Sequence, residues 1–189
     1  MSQAKVLNQQ EIDKVLAFLP TRRFALRNRV MLLCSFWSGM RAKELSCLTV
    51  GSVMNADGTV KNEVRLTAEQ TKGRHSRTVF LPQKLQVEIQ RYLDIRRVTN
   101  MDHPLFVTAG GKAFTPNLMS QHFFWIFKKV GGLEGASSHS GRRSFATKIA
   151  QAGANVKLLQ QLLGHQNVQT TMVYISVNDE MLRNCVELA

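Results

Sequence analysis

His139 and Arg142 stand three residues apart in Ser138-His139-Ser140-Gly141-Arg142-Arg143, and a second histidine and a lone tyrosine follow, in Leu163-Gly164-His165 and at Tyr174. On a helix, positions i and i+3 share a face, so His139 and Arg142 enter one site while Arg143 points elsewhere. Asn155 is placed to N-cap a helix over Val156 to Leu163, with Gly164 as its C′ residue. His165 follows that break directly, so a rigid element aims it without containing it. A last helical turn, Gln169 to Tyr174, carries the tyrosine. Guanidinium groups to hold an oxyanion, imidazoles to move protons and a phenol as nucleophile suit chemistry on a phosphodiester.

The elements that must position these residues begin at Leu7-Asn8-Gln9-Gln10-Glu11. This has the form of a capping box, Asn8 at N-cap and Glu11 at N3, with Leu7 as hydrophobic staple. The helix it opens is expected to reach about Phe18 and to stop at Pro20; residues 1–7 form a short arm. A second helix covers Arg23 to Ser38, amphipathic at first and almost wholly apolar later, which predicts burial of its second half. Gly39 ends it, and Met40 to Leu48 starts another. Arg41 sits at that junction with Glu44 three residues on to buttress it; taken alone, Arg41 has the plainer reading of a solvated helix-start arginine.

Asn55-Ala56-Asp57-Gly58 is a hairpin-type turn. Glu63 to Thr67 alternates with period two, and Arg77 to Leu81 forms a second strand stopped by Pro82, giving a small antiparallel sheet of two or three strands. Between them the basic stretch from Gln70 to Ser76 carries Lys72, Arg74 and His75, with Arg77 beside it. Such cations blunt a sheet edge or contact phosphates. Helices follow over Gln83 to Arg97 and, capped by Thr115 with Pro116 at N1, to about Val130. Leu105-Phe106-Val107 forms a short strand between them. The aromatic run from Phe123 to Phe127 is core packing, and Gly131-Gly132 is a break. Asn178 caps a tail helix over 178–189 with an apolar stripe of Met181, Leu182, Cys185 and Val186.

The chain has 189 residues and a net charge of +12, from 25 Lys+Arg against 13 Asp+Glu. That length supports one well-cored domain, and the charge argues for a polyanionic partner, nucleic acid first. Cys34, Cys47 and Cys185 show no metal-ligand or disulfide spacing. The longest apolar run, Val30 to Trp37, is too short to span a bilayer, and no signal-peptide core opens the chain, so an intracellular, cytoplasmic and nucleoid-associated protein is expected.

Taken together, these motifs resemble the tyrosine recombinase, or phage integrase, family over about Leu7 to Glu187. Gly39-Met40-Arg41-Ala42-Lys43-Glu44-Leu45 matches its first arginine motif, Thr71-Lys72-Gly73 its hairpin lysine, and His139 with Arg142 its His-x-x-Arg. Leu163-Gly164-His165 and Thr170-Thr171-Met172-Val173-Tyr174 match the remainder. His-x-x-Arg alone is commonplace; the ordered set is specific. Two positions depart from the pattern: Gly141 stands where the family often has leucine, and Arg143 where it often has histidine. Many members also carry a separate N-terminal DNA-clamping domain, whereas this chain begins almost at the catalytic domain and resembles in size the short members that invert the fimbrial promoter switch.

The resemblance implies an α+β, mainly helical catalytic domain over residues 1–189 with a small antiparallel β-sheet. It implies a recombinase of bacterial or phage origin that acts on double-stranded DNA as a homo-tetramer, is a monomer or weak oligomer when free, and uses no cofactor or metal. Tyr174 would be the nucleophile, Arg41 and Arg142 the braces of the scissile phosphate, Lys72 the general acid, His139 the general base and His165 a hydrogen-bond donor. Arg74, Arg77 and Arg143 are expected to contact DNA phosphates. Two other functions fit the same motifs: an unproductive DNA-binding accessory relative, and a type IB topoisomerase-like relaxing enzyme.

Overall fold

The computed structural model describes residues 4–71 and 73–175, together with 183, 186 and 187. Helix α1 (Gln9–Phe18) starts as expected: the Asn8 side chain accepts from the Glu11 amide at 2.9 Å, the Glu11 carboxylate accepts from the Asn8 amide at 3.2 Å, and Leu7 is buried. After a tight turn over Leu19–Thr21, α2 runs Ala25–Ser38 and is the axis of the molecule. It starts two residues later than expected because Phe24 takes a left-handed conformation, φ 62°, with the Arg23 and Arg27 guanidinium groups 4.7 and 4.4 Å from its ring centre. Its residues from Val30 to Phe36 are all buried, so the nearly all-apolar second half is explained by position rather than by amphipathicity.

Helix α3 (Ala42–Ser46) and the short α4 (Val50–Val53) follow, the latter capped by Thr49 and not expected from the sequence. Strands β1 (Glu63–Leu66) and β2 (Arg77–Phe80) pair antiparallel with Leu66 opposite Arg77 and Glu63 opposite Phe80. Among the described residues they form a two-stranded sheet, and the stretch from 67 to 76 loops out between them. Helix α5 (Gln83–Arg96) packs against α2. Leu105 and Phe106 are buried, but this segment makes only isolated bridges, Thr49 with Pro104 and Val107 with Ala113, rather than the expected strand.

Helix α6 (Pro116–Trp125) is capped by Thr115 as expected, then widens into a π-turn over Ile126–Val130 closed by Gly131 N–H to Ile126 O at 2.9 Å. Phe123, Ile126 and Phe127 are core residues, whereas Phe124 and Trp125 face outward, so only part of that aromatic run packs inside. Helices α7 (Ser140–Gln151), α8 (Val156–Leu163) and the turn α9 (Gln169–Met172) complete the described fold. They share a second, smaller core in which Ala146, Ala150, Leu159 and Leu163 are buried, with Phe145, Ile149 and Tyr174 packed on it. The expected tail helix lies largely outside the described residues. No helix among them is long and apolar enough to cross a membrane.

Gly141 joins the two cores. A Cβ there would stand 2.3 Å from Ser35 Oγ and 2.7 Å from Ser35 Cβ, so α7 approaches α2 more closely than any side chain permits. The departure from the family pattern at this position is therefore matched by a small residue on the facing helix.

Candidate active site

Four separate pieces of chain deliver side chains to one cleft of about 920 Å³. Arg41 comes from the α2–α3 junction, His139 and Arg142 from the start of α7, His165 from the corner after α8, and Tyr174 from the turn just past α9, which ends at Met172 rather than reaching the tyrosine. The β1–β2 loop supplies one wall through Thr71, Gly73, His75 and Ser76, and Ala4 of the N-terminal arm borders another. None of the described residues lining the cleft is acidic, while Arg41, Arg77, Arg142 and Arg143 all reach it.

Arg142 is buried, and its two terminal nitrogens donate to Gly39 O, at 2.7 Å, and to Leu163 O. Burial first, then the charges of Arg41 and Arg77, push its pKa down to about 9, still well above neutrality. It is a fixed cation, oriented by the last carbonyls of two helices, where the helix dipoles favour positive charge. Arg41 is held by Glu44, which accepts from the Arg41 amide at 2.8 Å and from Nη1 at 2.9 Å. Burial alone would raise the Glu44 pKa, but hydrogen bonding and charge from Arg77, with the charge of Arg142, keep it below its ordinary value. Glu44 is thus an ionised, fully buried anchor for cations around it.

Asn155 caps α8 through its side chain, and Gly164 ends that helix at φ 59°. A Cβ at Gly164 would also meet Arg77 Cδ at 2.6 Å, so both backbone and space call for glycine. His165 leaves this corner with its amide bonded to Gln160 O, and its Nδ1 lies 2.9 Å from the buried Thr171 hydroxyl. Burial, then the fields of Arg142, Arg41 and Arg77, lower its pKa to about 4. The ring is therefore neutral at physiological pH, and the Thr171 bond leaves Nε2 for the cleft. The Tyr174 ring stacks near it, centroids 6.2 Å apart and planes at 21°. Thr171 O accepts from the Tyr174 amide, so one residue places both.

Arg143 departs from expectation: rather than pointing elsewhere, it lines the cleft. Its guanidinium lies 6.0 Å from the Tyr174 ring centre and donates to Ala4 O at 2.5 Å. The reason is helical: Arg143 stands four residues after His139, its amide bonded to His139 O at 2.9 Å, so it shares that face, and the arm lies beside it through Lys5 N–H to Gly135 O and Leu7 N–H to Ser144 Oγ. Arg77 departs as well. It stands at the first position of β2, where the second strand was expected to begin, but its guanidinium turns inward onto Glu44 instead of outward to a phosphate. Arg74 is exposed on the loop. Lys72 lies outside the described residues; its neighbours Thr71 and Gly73 line the cleft. The bond from Thr171 to His165, the pairing of Arg77 with Glu44 and the place of the arm at the cleft were not read from the sequence. The paired threonines ahead of Tyr174 were a usable signal for Thr171, and a buried-side acid beside Leu45 on a short helix was one for a second cation near Glu44.

Tyrosine recombinase XerA from Pyrococcus furiosus is 32% identical over 188 residues, covering 98% of this chain and 62% of the relative, so the chain spans less than two thirds of that protein. The crystal structure of XerA recombinase superposes with a TM-score of 0.75 at 23% identity, over 100% of this chain and 66% of that one. XerH site-specific recombinase bound to difH in a pre-cleavage complex gives a TM-score of 0.70 at 25% identity, over 96% of this chain and 53% of that one. The Phage integrase family matches residues 5–181, and the chain belongs to that family.

Proposed function

We propose that this chain is the catalytic part of a site-specific DNA recombinase that cuts and rejoins strands through a 3′-phosphotyrosine. The observation that carries the reading is the convergence of Arg41, His139, Arg142, His165 and Tyr174 in one basic cleft from four pieces of chain. The Tyr174 hydroxyl attacks the scissile phosphorus, its proton passes to His139, and the phosphorus–O5′ bond breaks with Lys72 protonating the leaving 5′-oxygen. Arg41 and Arg142 brace the non-bridging oxygens with planar forks, and neutral His165 donates through Nε2. Religation reverses each transfer. The phosphodiester energy is kept in the covalent link, so the scheme requires neither a metal nor a nucleotide triphosphate. Arg74 and Arg143 contact flanking phosphates, residues 1–189 act as one catalytic domain, and four copies assemble on double-stranded DNA. The likeness to XerH site-specific recombinase bound to its difH substrate supports the recombinase reading.

The test uses a pool of duplexes with randomised arms, each nicked just past a candidate scissile phosphate. Attack then releases a short 5′-fragment that diffuses away, and the protein stays attached. The expected result is a protein–DNA adduct that survives denaturation and forms in EDTA, with captured duplexes converging on one sequence. Capture without sequence convergence would favour a relaxing enzyme, and no capture at all would contradict the reading.

A further inference from the structure

A buried ion pair between Arg77 and Glu44 lies at the base of the cleft, and none of the proposed chemical steps uses it. The Glu44 side chain is 0% and that of Arg77 7% exposed. Arg77 Nε and Nη2 donate to the two Glu44 oxygens at 3.1 and 2.7 Å, and Nη1 donates to Leu162 O at 2.8 Å. The same carboxylate holds the Arg41 amide and Nη1. The aliphatic stem of Arg77 fills the space that Gly164 leaves by lacking a Cβ. Arg142 takes the next carbonyl, Leu163 O. The end of α8, from which His165 emerges, is thus held by two guanidinium groups, one of which is tied through Glu44 to Arg41.

We propose that Arg77 is a positioning residue for strand transfer, locking Arg41, through Glu44, to the corner that aims His165. This rests on the recombinase reading of the cleft. The residue type fits the task. A guanidinium offers a flat fork to a carboxylate and a further donor to a carbonyl in the same plane, whereas an ammonium offers one charged point. A role as a DNA contact does not fit, because binding a phosphate would strip a fully buried carboxylate of one of its two guanidinium partners.

The decisive comparison is between wild type, Arg77→Lys, Arg77→Met and the pair Arg77→Met with Glu44→Met. The pair removes both buried charges together, so the fold survives even if Arg77→Met alone does not. Two readouts are taken. Amide hydrogen exchange in the free protein should speed up at Gly164 and His165 by roughly tenfold or more in every variant, while α2 amides stay as in wild type. Adduct formation on the captured nicked duplex should slow by roughly 10- to 100-fold, as expected for a misplaced catalytic group, with duplex affinity within about twofold of wild type. Unchanged exchange at the corner, or a wild-type adduct rate in Arg77→Lys and Arg77→Met, overturns the proposal, as does exchange that rises uniformly across the chain. Failure of wild type to form an adduct would instead strike the recombinase reading, and the exchange measurement would still decide whether Arg77 holds the corner.

Discussion

His165 illustrates how single side chains in this cleft are tuned. Its ordinary pKa of 6.5 falls to about 4 because the ring is partly desolvated and three arginines surround it. The folded chain therefore binds this proton less readily than the unfolded one. Stability from keeping the ring neutral is present above 6.5 and lost as pH falls from 6.5 through about 4. Glu44 adds in the same direction, its lowered pKa giving stability above its ordinary 4.5 that is lost in acid. An NMR titration of the His165 ring should give a midpoint near 4, whereas a midpoint at or above 6.5 would contradict the described burial and field. Lys72 is testable by chemistry alone. If it protonates the leaving oxygen, Lys72→Ala should cut ordinary DNA slowly, by roughly 10²- to 10⁴-fold, yet cut a substrate with a bridging 5′-sulfur almost normally. Equal defects on both substrates would leave Lys72 only a phosphate contact. At this scale residue types and local spacing were readable from the sequence, while partners far apart in the chain were not: Arg77 and Glu44 are separated by 33 positions.

Elements were legible wherever a local rule governs them. The Asn8 capping box, Thr115 before Pro116, and the Asn155 to Gly164 frame of α8 all appear where the sequence places them, because each is settled within a few residues. The misses were decided by tertiary packing. Phe24 turns left-handed between two arginines, the segment after Pro104 finds no strand to pair with along its length, and Phe124 and Trp125 turn outward where consecutive aromatics were expected inside. Gly141 gives the sharpest case. On helix propensity alone alanine would stabilise α7 by up to ~1 kcal/mol. Because its Cβ would meet Ser35 Oγ at 2.3 Å, Gly141→Ala should instead destabilise the chain by about 1–3 kcal/mol in urea unfolding. Adding Ser35→Gly should recover part of that loss. A Gly141→Ala chain more stable than wild type would show that the α2–α7 approach is looser than described.

For the molecule as a whole, the balance of 25 basic against 13 acidic residues argues for a polyanionic partner, which the proposed function takes to be duplex DNA. Affinity for random duplex should fall at least roughly tenfold between 50 and 200 mM salt if phosphate neutralisation dominates, and a flat dependence would remove that premise. The charge total said nothing of where the cations sit. Arg77 counts toward it yet faces inward, and Arg143 joins the cleft, where it donates to Ala4 O of the arm. Tyrosine identity separates the two phenols as clearly. Tyr92 is buried, its hydroxyl donates to Leu105 O at 3.0 Å, and burial raises its pKa, whereas Tyr174 lines the cleft beside His165. The most direct measurement is therefore to digest the denatured protein–DNA adduct and map the linked residue by mass spectrometry, alongside a Tyr174→Phe chain. The link should fall on Tyr174, and Tyr174→Phe should bind duplex with near-wild-type affinity yet form no adduct; a link on Tyr92, or an adduct from Tyr174→Phe, would contradict the account.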